Sequence, residues 1–124
     1  LRGLHFQNKD PQGKLVFVTK GKIYDVLVDL RDKSRTFGKW KSIIISDKNK
    51  LQIWIPPGFA HGFLALTKEV NLVYKCTSFY NPKYEQTLIW NDKTLNIKWP
   101  VKSPILSIKD KEGSTFEHII KKLK

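Results

Sequence analysis

Polar and apolar residues alternate along most of this chain in short runs, and the period is two. KLVFVTK (14–20) is followed by Gly21 and then by KIYDVLVDLR (22–31). In the second run Tyr24, Val26, Val28 and Leu30 share one face, and Ile23, Asp25, Leu27, Asp29 and Arg31 share the other. TFGKWKSIIIS (36–46), LQIWI (51–55), GFLALT (62–67), NLVYKCTSF (71–79) and TLIWN (87–91) continue the pattern, with turn-forming stretches such as SDKNK between them. Strands this short and closely spaced predict an all-β sandwich or barrel. Only the tail departs. Ser114 to Glu117 (STFE) reads as a capping box, and Phe116, Ile119, Ile120 and Leu123 form a one-sided stripe at helical spacing. The expected layout is a β-core over residues 1–108, with a short amphipathic helix in 109–124 packed on its outside. Asp25 and Asp29 break an otherwise apolar face. They fit either a solvated outer surface or a polar interior of the kind that receives a polar ligand.

Composition adds bounds. A chain of 124 residues is one domain, and 40% hydrophobic content is ordinary for a globular protein. No apolar run approaches the ~18 residues that span a bilayer, so no membrane partner is expected. The lone Cys76 cannot form an internal disulfide and fits a reducing, cytoplasmic setting. The chain has no methionine and opens on LRGLHFQ, from which a preceding N-terminal segment is expected. A net charge of +12 raises the question of nucleic acid. However, only Arg2, Arg31 and Arg35 among the 23 basic residues are arginine, and the lysines are spread along the whole chain. Direct base readout favours the guanidinium fork, so no nucleic-acid partner is expected; a lysine-rich proteome bias or an anionic small substrate explains the charge as well.

The candidate chemistry centres on histidine. His118 sits in the amphipathic tail and reads as a surface residue. His5 in LRGLHFQ and His61 in IPPGFAHGF are each flanked by glycine and aromatic residues, which points to a shared pocket. These two segments resemble the two halves of the cupin signature, the second half running Pro57, Gly58, His61. The first half departs from the metal-binding form. Gln7 replaces the second histidine, and Lys14, with six residues between it and Gly21, stands where the pattern has its acid. A fixed cation there would repel a divalent metal, so no metal is expected. Two histidines and a lysine suit proton abstraction α to a carbonyl, with a base near neutral pKa and an ammonium to stabilise an enolate. Tyr74 and Tyr80 are candidate acids on the same strand side if that strand continues.

LRGLHFQ, QGKLVFVTKGKIYDVLVDLR, TFGKW, LQIWIPPGFAHGFLAL, YKCTSFYNPKYE, IWND, IKWP and ILSIKD together resemble the dTDP-4-dehydrorhamnose 3,5-epimerase family from residue 1 to about residue 111. The resemblance implies a cupin-like jelly roll that acts as a homodimer in dTDP-L-rhamnose biosynthesis. It implies a cofactor-independent isomerase with dTDP-4-dehydro-6-deoxy-D-glucose as substrate, and further strands preceding RGLH. Residue by residue, it implies His5 as catalytic base, Asp110 as its orienting carboxylate and Tyr74 as proton donor. Lys14 and His61 match the residues around the C4 oxygen. Tyr80 matches the ring that stacks on thymine, Glu85 and Lys109 match substrate-binding positions, and Arg2 matches the arginine near the diphosphate. Related epimerases acting at one carbon, a ketoisomerase, and a non-catalytic sugar-nucleotide binder are the alternatives.

Overall fold

The computed structural model describes residues 1–124. Eight strands are followed by two short helices: β1 (Arg2–Gln7), β2 (Lys14–Lys20), β3 (Lys22–Asp29), β4 (Trp40–Ser46), β5 (Gln52–Ile55), β6 (Phe59–Ala65), β7 (Asn71–Cys76), β8 (Glu85–Thr87), α1 (Ile108–Lys111) and α2 (Phe116–Leu123). They build two antiparallel sheets, one of five strands in the order β4-β3-β6-β1-β8 and one of three in the order β5-β2-β7. The connection between sheets comes at Gly21, the turn from β2 to β3, where φ is +85° and an added Cβ would lie 2.2 Å from the Glu69 carbonyl oxygen. Only glycine fits such a corner.

The strict alternation of β3 explains the layering. Val26, Val28 and Leu30 on one face join a cluster with Leu88, Leu95, Ile97, Phe116 and Ile119, and Tyr24 packs beside them. Ile23 on the other face joins Val16, Val18, Ile45 and Ile55 between the two sheets, with Leu27 packed against them. The large sheet is therefore covered on both faces, by the small sheet and by the C-terminal segment. Each fully buried valine or isoleucine contributes roughly 1.5–3 kcal/mol of apolar transfer.

Several boundaries differ from the pattern. Residues 36–39 turn before β4 begins. The 87–91 run stops pairing after Leu88, which exchanges two backbone hydrogen bonds with Leu4 of β1 and also bridges in parallel to Ser114. That bridge also moves the α2 cap. Ser114 is occupied by backbone bonds to Thr87 and Ile89, and Thr115 takes the N-cap role, its hydroxyl accepting the His118 amide. His118 is exposed, as expected. The solvated reading of the two aspartates fails for both, since Asp25 and Asp29 are each 1% exposed. Asp29 is structural: its carboxylate accepts from Arg31 Nε and Nη2 at 2.9 Å each and from the Ser34 and Thr36 hydroxyls at 2.6 Å.

Candidate active site

A cavity of about 550 Å³ lies between the two sheets, and its walls come from both. On the large sheet, His5 of β1 and His61 of β6 are direct cross-strand partners. Residues opposite each other in an antiparallel pair point to the same face, so both imidazoles enter one space. Gly62 allows this close pairing, because a Cβ there would lie 2.8 Å from the Arg2 carbonyl oxygen. The strand-like run GFLALT starts at Gly62 and leaves His61 outside it. His61 lies instead in β6, because pairing with β3 already starts at Phe59 opposite Asp29.

Each imidazole has a carboxylate behind it. His5 Nε2 lies 2.6 Å from Asp110 Oδ1, and His61 Nε2 lies 2.7 Å from Asp25 Oδ1. Asp110 is supplied by α1, a single helical turn that the hydrophobic pattern does not mark. The hydroxyl of Ser107 caps that turn and accepts the Asp110 amide. Burial lowers the pKa of His5, with the hydrogen bond and charge of Asp110 opposing. The neutral imidazole is thus favoured, with Nδ1 free of hydrogen bonds and 3.8 Å from Glu85 Oε1.

The small sheet forms the opposite wall. Lys14 of β2 pairs with Cys76 of β7, and Val16 pairs with Tyr74, so Lys14, Tyr74 and Cys76 share the inward side. Burial lowers the Lys14 pKa as well, while the charges of Glu85 and Asp25 work in the other direction. Tyr80 does not continue the β7 alternation, because the strand stops at Cys76. The following loop carries it to the cavity mouth, held by Gln7, whose side-chain oxygen accepts the Asn81 amide at 2.8 Å. The residue replacing a cupin histidine therefore anchors a loop. At the mouth Glu85 accepts from the Tyr80 hydroxyl at 3.0 Å and from Lys109 Nζ at 2.7 Å. Burial alone would raise the Glu85 pKa, but these two donors outweigh it and hold it below the usual value. Arg2 completes a rim of two cations suited to an anion.

A family model described as dTDP-4-dehydrorhamnose 3,5-epimerase matches residues 1–118. The chain belongs to that family. It is 53% identical over 117 residues to the dTDP-4-dehydrorhamnose 3,5-epimerase of Neisseria gonorrhoeae, an alignment covering 94% of this chain and 36% of the relative. It is 50% identical to that of Shigella flexneri, covering 94% of this chain and 65% of the relative. Among solved structures, the dTDP-6-deoxy-D-glucose-3,5-epimerase of Legionella pneumophila in complex with dTDP-4-keto-L-rhamnose superposes with a TM-score of 0.93 at 44% identity. That match covers 98% of this chain and 65% of the Legionella chain. The sandwich is accordingly the cupin-like jelly roll of the 3,5-epimerase family.

Eight of the nine residues that the family resemblance singled out line this one cavity, and Asp110 stands directly behind His5. Phe63, Gln12 and Cys76 line it too and were not singled out. For Cys76 a signal existed, since it lies two positions after Tyr74 on one strand. No group of three or more His, Cys, Asp and Glu residues is gathered so as to hold a metal ion.

Proposed function

We propose that this chain carries the catalytic core of an isomerase that inverts C3 and C5 of dTDP-4-dehydro-6-deoxy-D-glucose, giving dTDP-4-dehydro-L-rhamnose for dTDP-L-rhamnose synthesis. The observation that carries this reading is the opposition of two walls, with His5 backed by Asp110 on one sheet and Lys14 and Tyr74 on the other. A ketone at C4 acidifies the hydrogens at C3 and C5. His5 takes them in turn through Nδ1, and Asp110 stabilises the imidazolium that results. The Lys14 ammonium stabilises the enolate oxygen as charge develops. Tyr74, approaching from the far wall, returns a proton to the opposite face, which is what converts exchange into inversion. The carbonyl supplies the acidity, so the reaction needs no cofactor or metal.

Tyr80 suits a stacking role on the base at the mouth. Arg2 and Lys109 suit the diphosphate, with Glu85 positioning both Tyr80 and Lys109, and His61 suits the C4 oxygen. A homodimer is the assembly that the family resemblance implies. The single thiol fits a cytoplasmic enzyme.

The test uses the full-length natural chain with the keto-sugar nucleotide in deuterated water. Deuterium should enter C3 and C5 with inversion, and His5→Asn should abolish both exchange and inversion. Wild-type protein that binds the nucleotide without any exchange would make it a sugar-nucleotide binder instead.

A further inference from the structure

Asp25 is the one residue with a fully buried side-chain polar atom lacking any hydrogen bond, and that atom is its carboxylate oxygen Oδ2. The side chain is fully inaccessible and lies between Ile23 and Leu27 on the inward side of β3, with Phe63 opposite it on β6. Its other oxygen meets only His61 Nε2. A carboxylate stripped of water and given a single neutral donor is among the costliest arrangements a protein can hold. Two states relieve the cost: a carboxylic acid facing a neutral imidazole, or a carboxylate facing an imidazolium. In the second of these states the carboxylate meets a charged donor, and both ring nitrogens of His61 carry protons.

The second ring nitrogen gives that charge a use. His61 Nδ1 has no hydrogen-bond partner within the chain, yet it is not among the fully buried unpartnered atoms, and His61 lines the cavity. Resting on the reading of the reaction above, we propose that Asp25 is a positioning residue that holds His61 as an imidazolium. Nδ1–H is then a second cationic donor, beside Lys14, for the developing enolate oxygen. The two histidine–carboxylate pairs would have opposite duties. For His5, burial, with a smaller push from Lys109, outweighs the pull of Asp110 and keeps the ring neutral as a base. His61 faces a fully buried carboxylate that has no other partner, and is kept charged as an electrophile. The ionisable groups that share the cavity or a hydrogen bond with His61 are His5 and Arg2 on β1, Asp25 on β3, Lys14 on β2, Tyr74 and Cys76 on β7, Glu85 on β8, and Tyr80 and Lys109 at the mouth.

The test has a spectroscopic arm that needs no substrate. In ¹⁵N-histidine-labelled full-length protein, with signals assigned through His61→Gln, both His61 ring nitrogens should be protonated at pH 7.5, a value about one unit above the ordinary histidine pKa. Asp25→Asn should leave only one protonated. In the kinetic arm, Asp25→Asn should lower kcat for exchange at C3 and C5 by about 100-fold, with KM changed by no more than a few-fold. A wild-type spectrum with one bare His61 nitrogen at pH 7.5 overturns the proposal, and it does so even if Asp25→Asn fails to fold. An unchanged kcat in a folded Asp25→Asn protein also overturns it. If wild-type protein shows the doubly protonated ring but exchanges no label with the keto-sugar, the charge assignment stands and the epimerase reading falls.

Discussion

Lys14 is the residue on which burial and chemistry pull in opposite directions. Its ammonium makes no ion pair in the free site, and burial already pushes its pKa down. Such a group gains most when a negative charge forms beside it. Lys14→Ala should therefore lower kcat about 100-fold, the equivalent of ~3 kcal/mol, with little change in KM. A raised KM at normal kcat would reduce Lys14 to a substrate clamp. Tyr74→Phe separates the two faces, because it removes the hydroxyl and leaves His5 intact. That variant should exchange label at C3 and C5 with retention while inversion falls by roughly 10²–10⁴-fold. Inversion at the wild-type rate would make another residue, or water, the acid. His5 sets the pH response. It must be neutral to accept a proton, and burial lowers its pKa, so kcat/KM should rise with pH through a limb below the ordinary value of about 6.5 and be flat at neutrality. Asp110 favours the imidazolium, so Asp110→Asn should move that limb further to the acid side while reducing the plateau. A limb that moves to higher pH in this variant contradicts the assignment of His5 as the base.

Among elements, the loop after β3 shows how a buried acid holds backbone in place. Asp29 accepts four side-chain hydrogen bonds, from Arg31, Ser34 and Thr36, and its backbone pairs with Gly38 and Lys39. Burial alone would raise the carboxyl pKa, but these donors outweigh it and hold it far below the usual carboxylate range. The sign follows: a depressed folded pKa gives stability that is present above the unfolded value of about 3.9 and is lost as pH falls below it. Asp29→Ala should cost on the order of 2–3 kcal/mol at pH 7, less than a fully buried pair because Arg31 is solvent-facing, and the gap from wild type should start to narrow below about pH 4 and shrink progressively as pH falls towards the depressed folded pKa. Denaturant midpoints at pH 7, 4 and 2 measure it, and a gap that does not narrow at all between pH 4 and pH 2 would assign the loss to packing. This residue also marks where the sequence stopped being legible. Alternation in 22–31 correctly put Asp25 and Asp29 on the face of Ile23 and Leu27, but a period of two says nothing about whether a face meets water. That depends on the second sheet, which is joined through long-range pairs. The same limit hid α1, since one turn of four residues has no periodicity, and its Asp110 was found by motif resemblance alone. The ending of β7 at Cys76 was equally invisible, so Tyr80 reached the cavity by a loop instead of by strand alternation.

For the whole molecule, the charge of +12 is the property that the fold leaves largely unused. Few lysines are tied down: Lys20 pairs with Glu69 and Lys109 with Glu85, and otherwise the ion pairs involve His5, His61 and Arg31. The sum is a positive field around a cavity whose rim carries Arg2 and Lys109. A nucleotide diphosphate approaching it is attracted over a distance set by salt, since the screening length falls from about 30 Å at 0.01 M to about 10 Å at 0.1 M. Raising ionic strength across that range should lower kcat/KM several-fold through KM and association, while kcat stays level, because the enolate forms inside the cavity where mobile ions do not reach. A nucleic-acid-binding surface would behave differently, with log affinity falling linearly and steeply with log salt as condensed counterions are released. Steady-state kinetics on the sugar nucleotide and a salt titration of duplex DNA binding, run side by side, separate the two. A steep linear slope for DNA together with salt-independent kinetics on the sugar nucleotide would mean that the charge serves a polyanion and not the substrate.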